Sequence, residues 1–306
     1  MRRNLICIAG AYALTAALML CMPTEAQRFS ARTVREVRIP EAAPCLTSDG
    51  TLEPLPDCAV LRFLRGEEVC EIALEDYVLG VVLAEMPVSF GSEALTAQAV
   101  AARTYACYRL AHGMTHGDSG CAVCDDYTCC CGYIAPGEAA RRWGTEETDA
   151  VLTAVREAVQ RSRGQILLYD GEPALTVWHS GSYQTTLGAE AVWGQAIPYL
   201  IPVDTPEEDR ITETDIPAAV LADKGMTEWD TVSPTEVRAR LGLPSARFET
   251  VPTEDGVRFI CHGYGHGVGL SQYGAAAMGA EGADYTRILS HYYPGTEIGR
   301  SFSALP

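Results

Sequence analysis

The sequence predicts an α+β fold. Helix-period and strand-period stretches are mixed without the regular βαβ alternation of a parallel sheet, and no internal repeat is present. A hydrophobic fraction of 47% with 21% charged residues is that of an ordinary globular chain. At 306 residues it is long enough for one large domain or two small ones.

The first element is a leader. Arg2 and Arg3 precede an uncharged apolar run over residues 5–22, which Pro23 stops. At about 1.5 Å per helical residue that run nearly spans a bilayer core. It fits a single membrane anchor with the arginines held inside, and equally a signal cleaved near Ala26. Leu20 before Cys21 is too large for a lipoprotein signal. Either way the body is exported. We place the leader at 1–26, a linker at 27–60 and one catalytic domain at 60–306.

Within the body, "CAVLRFL" reads as strand. In "EDYVLGVVLAEMP", Val78, Val82 and Glu85 are spaced i, i+4 and i+7 on one helical face, and Pro87 forces an end at about Met86. A second helix follows in "SEALTAQAVAARTYACYRLAHG", with Ser92 as N-cap and Gly113 as stop. Residues 112–137 form a loop, and 146–163 return to helix before Gly164. "QILLYDGEPALTVWHS" reads as two strands around an Asp170-Gly171 turn. Residues 204–231 are acidic and aperiodic, and read as a surface loop or short insertion. "SPTEVRARLGL" carries Ser233 and Glu236 in capping-box positions around Pro234.

A formal net charge of −17 argues against a nucleic-acid partner and against charge-driven binding to anionic lipid. Twelve cysteines in an exported chain would suggest disulfides. Five of them, Cys121, Cys124, Cys129, Cys130 and Cys131, are crowded, and adjacent cysteines do not readily pair with each other. The crowd looks more like ligands than staples.

Glu85 stands on an apolar helical face close to the negative end of its helix. Desolvation and the helix dipole both favour its protonated form, which suits a general acid. Periodicity alone also allows a glutamate turned to solvent. The run HGYGHGVGLSQYGA (262–275) is compatible with a flexible turn, a metal site or a substrate cradle.

"LEDYVLGVVLAEMP", "EALTAQAVAARTYA", "GYGHGVGLSQYGA" and "ILSHYYPGT" together resemble the stage II sporulation protein D family of endospore-forming bacteria. The resemblance runs from about residue 60 to 300 with the motifs in order. It implies a lytic transglycosylase that cleaves peptidoglycan glycan strands during forespore engulfment, with Glu85 of "AEMP" as catalytic acid. It also implies stage II sporulation proteins P and M as partners. An alternative is a peptidoglycan-binding module that modifies a cell-wall amidase. On the helix after Glu85, Gln98, Arg103 and Tyr105 are candidates to orient the sugar, with an ion-pair role open for Arg103. His179 and Ser182, in "WHSGSYQTTLG", match a family segment in which two glycines stand where this chain has Tyr183-Gln184. His266, Ser271, Gln272 and Tyr273 are expected to line the glycan-binding cleft opposite Glu85, with Gly263, Gly265, Gly267 and Gly269 letting backbone approach the sugar.

Clostridial relatives carry a "CDDxTHC" segment that holds zinc. Matched residue by residue, Cys124 and Cys130 take the cysteine positions and Cys129 stands where the family has histidine. His116 is our fourth ligand, with His112 and Cys121 as rivals. The resulting Zn²⁺ site would be structural and pin the 112–137 loop. A Cys121–Cys131 disulfide is the competing reading.

Overall fold

Leu61 and Phe63 alternate with outward-facing neighbours, and this period-two pattern forms strand β1 (Val60–Arg65), paired antiparallel with β2 (Glu68–Ala73). The structure is a computed structural model and describes residues 59–139 and 145–300. The leader, the linker up to residue 58, and Cys7, Cys21, Cys45 and Cys58 lie outside the described residues. β3 (Val123–Cys124) joins the other edge of β1 in parallel and brings the cysteine-rich loop alongside it.

Helix α1 (Leu74–Glu85) follows β2 directly and is buried along most of its length, from Leu74 through Val82 to Leu83. Gly80 leaves room for the Tyr133 ring, which would overlap any Cβ there. Pro87 ends the helix as expected, and the chain turns through 88° into α2 (Gly91–Ala111). Glu85 thereby sits at a corner between two core helices. Ser92 is not the N-cap. The helix begins one residue earlier, after a 3₁₀ turn over Val88–Phe90, and Phe90 takes the cap position without a side-chain bond.

α2 is the centre of the molecule. It packs against α1, α3 (Thr145–Arg161), α7 (Gln272–Ala280) and α8 (Tyr285–Tyr292). Glu93 at its start receives both guanidinium nitrogens of Arg161, at 2.5 and 3.0 Å, and the Tyr285 N–H at 2.9 Å. Three helices are pinned at that point.

β4 (Ile166–Tyr169) and β5 (Glu172–Pro173) flank Asp170 and Gly171, both at positive φ, with β11 (Glu297–Gly299) on the other edge of β4. The second strand of the expected pair is short. The chain leaves it to form β6 (Trp178–His179), parallel to β10 (Leu270–Ser271). Helix α4 (Ala189–Trp193) follows β6.

The acidic stretch 204–231 is not simply a surface loop. It holds β7 (Ile211–Pro217), α5 (Ala218–Asp223) and a 3₁₀ turn over Trp229–Thr231. β7 pairs with β9 (Gly256–His262), whose other neighbour is β8 (Phe248–Pro252). This sheet and α6 (Pro234–Leu241) enclose a second, smaller core of Ile216, Leu221, Val237, Leu243 and Phe259. β7 buries only Ile216, so it lacks the alternation that marks a strand; its pairing with β9 makes it one. Ser233 caps α6 by accepting from Glu236 N–H at 3.3 Å.

Candidate active site

Glu85, Gln98 and Gln272 come together from α1, α2 and α7. The Gly132 N–H donates to Glu85 Oε1 at 2.7 Å, and Gln272 Nε2–H donates to Glu85 Oε2 at 3.4 Å. The same Gln272 nitrogen donates to Gln98 Oε1 at 3.4 Å. Glu85 is half-buried, whereas Gln98 is fully buried with its own Nε2 lacking an acceptor. Gln272 is aimed by its helix start: Ser271 is the N-cap of α7, accepting from Gly274 N–H at 3.3 Å.

Arg103 has the ion-pair role, not the sugar-orienting one. It is fully buried and binds Glu75 through Nε at 2.9 Å and a terminal nitrogen at 2.6 Å, and it also donates to the Gln165 carbonyl at 3.1 Å. This fork ties α1 to α2. Tyr105 is likewise buried and accepts from Arg109 at 3.2 Å.

His179 and Ser182 lie beneath the surface, 3% and 5% exposed, so neither faces a ligand in this structure. Burial, then the neighbouring His266, pushes His179 down to about 3, so the ring is neutral. Its Nδ1–H donates to the Val268 carbonyl at 3.2 Å, and Ser182 Oγ–H donates to its Nε2 at 2.6 Å. Burial, then Arg238, holds His266 down at about 4, and its Nδ1 accepts from Val268 N–H at 3.1 Å. His266 packs between His179 and Trp193. Its ring is thus engaged with backbone and neighbouring rings instead of Glu85. Ser271 is also turned away: its hydroxyl donates to Glu207 at 2.5 Å.

The four glycines do take positive φ, but a protein segment occupies the space where sugar was expected. A Cβ on Gly263, Gly265, Gly267 or Gly269 would press on Gly181, His179, Leu187 or Val177 respectively. The run lies against residues 177–187, with Leu187 N–H donating to the Gly267 carbonyl at 2.6 Å.

Tyr273 lines an open groove of about 790 Å³, shared with Ser89, Arg210, Tyr264 and the acidic run Glu207, Glu208 and Asp209. Its ring lies 4.6 Å from Phe90 and 4.2 Å from the Arg210 guanidinium. Gln184 adopts φ +60 where the family has glycine, and Tyr183 stacks on His262 at 4.8 Å. The substitution is absorbed within the loop.

His116, Cys124, Cys129 and Cys130 offer ligand atoms all within 4.8 Å of one another. A tetrahedral zinc bound by cysteine and histidine separates its ligand atoms by about 3.3–3.8 Å, so this donor set fits a metal ion after small adjustment. Cys129 and Cys130 lie 3.8 and 3.3 Å from the His116 ring and push it up to about 9. Contacts with Cys124 and Cys129 pull Cys130 well below the usual thiol range. His112 is elsewhere, bonded to the Tyr108 carbonyl at 2.9 Å. Cys121 and Cys131 are free, which removes the disulfide; Cys131 instead meets the Tyr77 hydroxyl at 3.0 Å.

Three contributors had no readable signal. Gly132 acts through its backbone, Glu207 was hidden in an acidic run, and Arg109 approaches the thiolates only through folding.

The family profile described as "Stage II sporulation protein" matches residues 65–169. The chain is 34% identical to stage II sporulation protein D of Bacillus subtilis (strain 168), over 82% of this chain and 81% of the relative. It is 31% identical to that of Bacillus amyloliquefaciens, over 90% and 86%. The amidase enhancer of Bacillus subtilis (strain 168) is 25% identical over 72% of this chain and 40% of its own length. With likeness at this level along most of both chains, the protein belongs to the stage II sporulation protein D family.

Proposed function

We propose that this protein is a peptidoglycan lytic transglycosylase with Glu85 as its single acid–base. The observation that carries this reading is a half-buried carboxyl group at a helix end, held by one fixed N–H and one side-chain amide. Glu85 gives its proton to the leaving oxygen of the MurNAc–GlcNAc bond through an oxocarbenium-like transition state. The carboxylate left behind takes the proton of the muramyl 6-hydroxyl as that oxygen closes on the anomeric carbon, leaving a 1,6-anhydro end. The nucleophile belongs to the substrate, so no second catalytic carboxylate is required.

His116, Cys124, Cys129 and Cys130 would hold a structural Zn²⁺. With all four positions filled by protein donors, the ion would cross-link the loop and keep Gly132 N–H directed at Glu85. The protein would act on the outer face of the cytoplasmic membrane, anchored by its leader or released from it, with stage II sporulation proteins P and M as partners.

The test is mass spectrometry of stem-peptide-free glycan strands after digestion. Wild type is expected to release products one water lighter than hydrolysis gives, and Glu85→Gln to lower that rate by about 10²–10⁴-fold. Undiminished release by Glu85→Gln would sink the assignment. The likeness to an amidase enhancer supports a second reading, a binding module that stimulates an amidase. Wild type that releases no anhydro ends yet raises amidase turnover would favour it.

A further inference from the structure

The amide of Gln98 is fully buried, and its Nε2 is a donor without an acceptor. Such orphaned N–H groups are rare because nothing replaces the water they lose. Next to it, Gln272 Nε2 faces two acceptors, Glu85 Oε2 and Gln98 Oε1, each at 3.4 Å. A half-turn of each amide about its last torsion exchanges oxygen and nitrogen while leaving the heavy-atom positions where they are. Gln98 Nε2–H then donates to Gln272 Oε1, and that same oxygen faces Glu85 Oε2. Two facing oxygens attract only when a proton lies between them, and an approach of about 0.5 Å from 3.4 Å makes that an O–H···O hydrogen bond. Oε1 of Glu85 cannot carry it, because the Gly132 N–H already donates there at 2.7 Å and a backbone donor cannot turn away.

We propose that Gln98 and Gln272 form a two-amide relay with one arrangement matched to ionised Glu85 and the other to the protonated acid, its proton on Oε2. The relay rests on the reading of Glu85 as general acid. In the ionised arrangement the Gln98 N–H group has no acceptor; in the protonated one it donates to Gln272, and the Gln98 carbonyl oxygen takes the unpartnered position, which a buried carbonyl tolerates better than a buried N–H does. The second arrangement is the one that receives the acid form needed before bond cleavage. When Oε2 gives its proton to the glycosidic oxygen, both amides turn back and Gln272 N–H meets the new carboxylate. Gln98 is a positioning residue: it acts through Gln272 and need not touch the sugar.

The charged and titratable surroundings of Glu85 do not duplicate this effect. On its own helix, Glu75 and Asp76 lie in the first turn, and Glu75 is bound to Arg103 of α2. From the loop, Cys131 faces it, and burial holds that thiol well above its ordinary range and uncharged. From α7, Gln272 is the contact, while Ser271 beside it engages Glu207.

The experiment compares the full chain with its Gln98→Met and Gln272→Met variants, each verified as folded by thermal melting. Two readouts are taken: the pH profiles of kcat and KM for anhydro-end release, and the infrared carboxylic C=O band that disappears in Glu85→Gln. Loss of one hydrogen bond to the neutral acid is expected to move both the alkaline limb of kcat and the band titration down by about one pH unit, with KM unaltered. Unchanged midpoints in either folded variant would overturn the relay, and a raised KM with an unchanged profile would make Gln98 a substrate contact instead. If Glu85→Gln retains full activity, the acid assignment fails, and the band titration still decides the relay.

Discussion

Glu85 is singled out by its place in the sequence, yet what makes it a site is supplied from far away. Its two hydrogen-bond partners, Gly132 and Gln272, are 47 and 187 residues distant. Arg103 shows the converse. A cation one helix away from a candidate acid suits substrate binding, but its fork geometry matches Glu75 and burial completes the pair. The glycines of the 262–275 run were readable as a backbone requirement but not as to what they approach. Gly269 is the sharpest instance, since a Cβ there would overlap the Val177 carbonyl and the residue is held at φ +71. Gly269→Ala is therefore expected to destabilise the fold by about 1–3 kcal/mol, measured by urea unfolding. An unchanged unfolding midpoint would mean that β6 and β10 can separate without cost.

At the scale of elements, local chemistry served well at most helix stops and caps, the Ser92 cap of α2 being the exception. Pro87 ends α1, Gly164 follows α3, and Ser233 with Pro234 starts α6. It failed where pairing made the element, as in β7, which hides a single side chain and follows an acidic run. The cysteine loop is intermediate. Its donor types were legible, but only its pairing with β1 and its return past Tyr77 bring Gly132 to Glu85. Removing metal with a chelator, or replacing Cys130 with Ser, is expected to lower kcat by about 10–100-fold and the melting temperature with it. Zinc added back to the chelated protein should restore both. Loss of stability with full activity would detach the loop from the acid's placement.

At the scale of the molecule, one buried helix organises the larger core, and its start is held by charge. Arg161 keeps Glu93 below its ordinary value of 4.5, and burial keeps His179 and His266 near 3 and 4 against an ordinary 6.5. All three folded values lie below the unfolded ones, so the unfolded chain binds more protons in acid. Their stabilisation is complete above about pH 6.5 and is lost as pH falls, through the histidines first and through Glu93 below 4.5. The exposed Arg161 limits the Glu93 share to about 1 kcal/mol. Melting curves from pH 7.5 to 4 should show a falling midpoint, with the fall below pH 4.5 reduced in Glu93→Gln. A midpoint that rises on acidification would contradict the neutral, buried state of the two histidines.

By itself the sequence determined the α+β class, the order of α1, α2, α3 and α6 with most of their ends, the candidate acid and the kinds of atom that could hold a metal. These follow from periodicity, caps and side-chain chemistry, which act over a few residues. Tertiary structure alone decided which groups meet. It turned Arg103 inward, buried His179 and Ser182, filled the glycine run with protein, and set a backbone N–H and two amides around Glu85. Those contacts join residues tens to hundreds of positions apart, and no local pattern records them, because burial and partner are properties of the packed core.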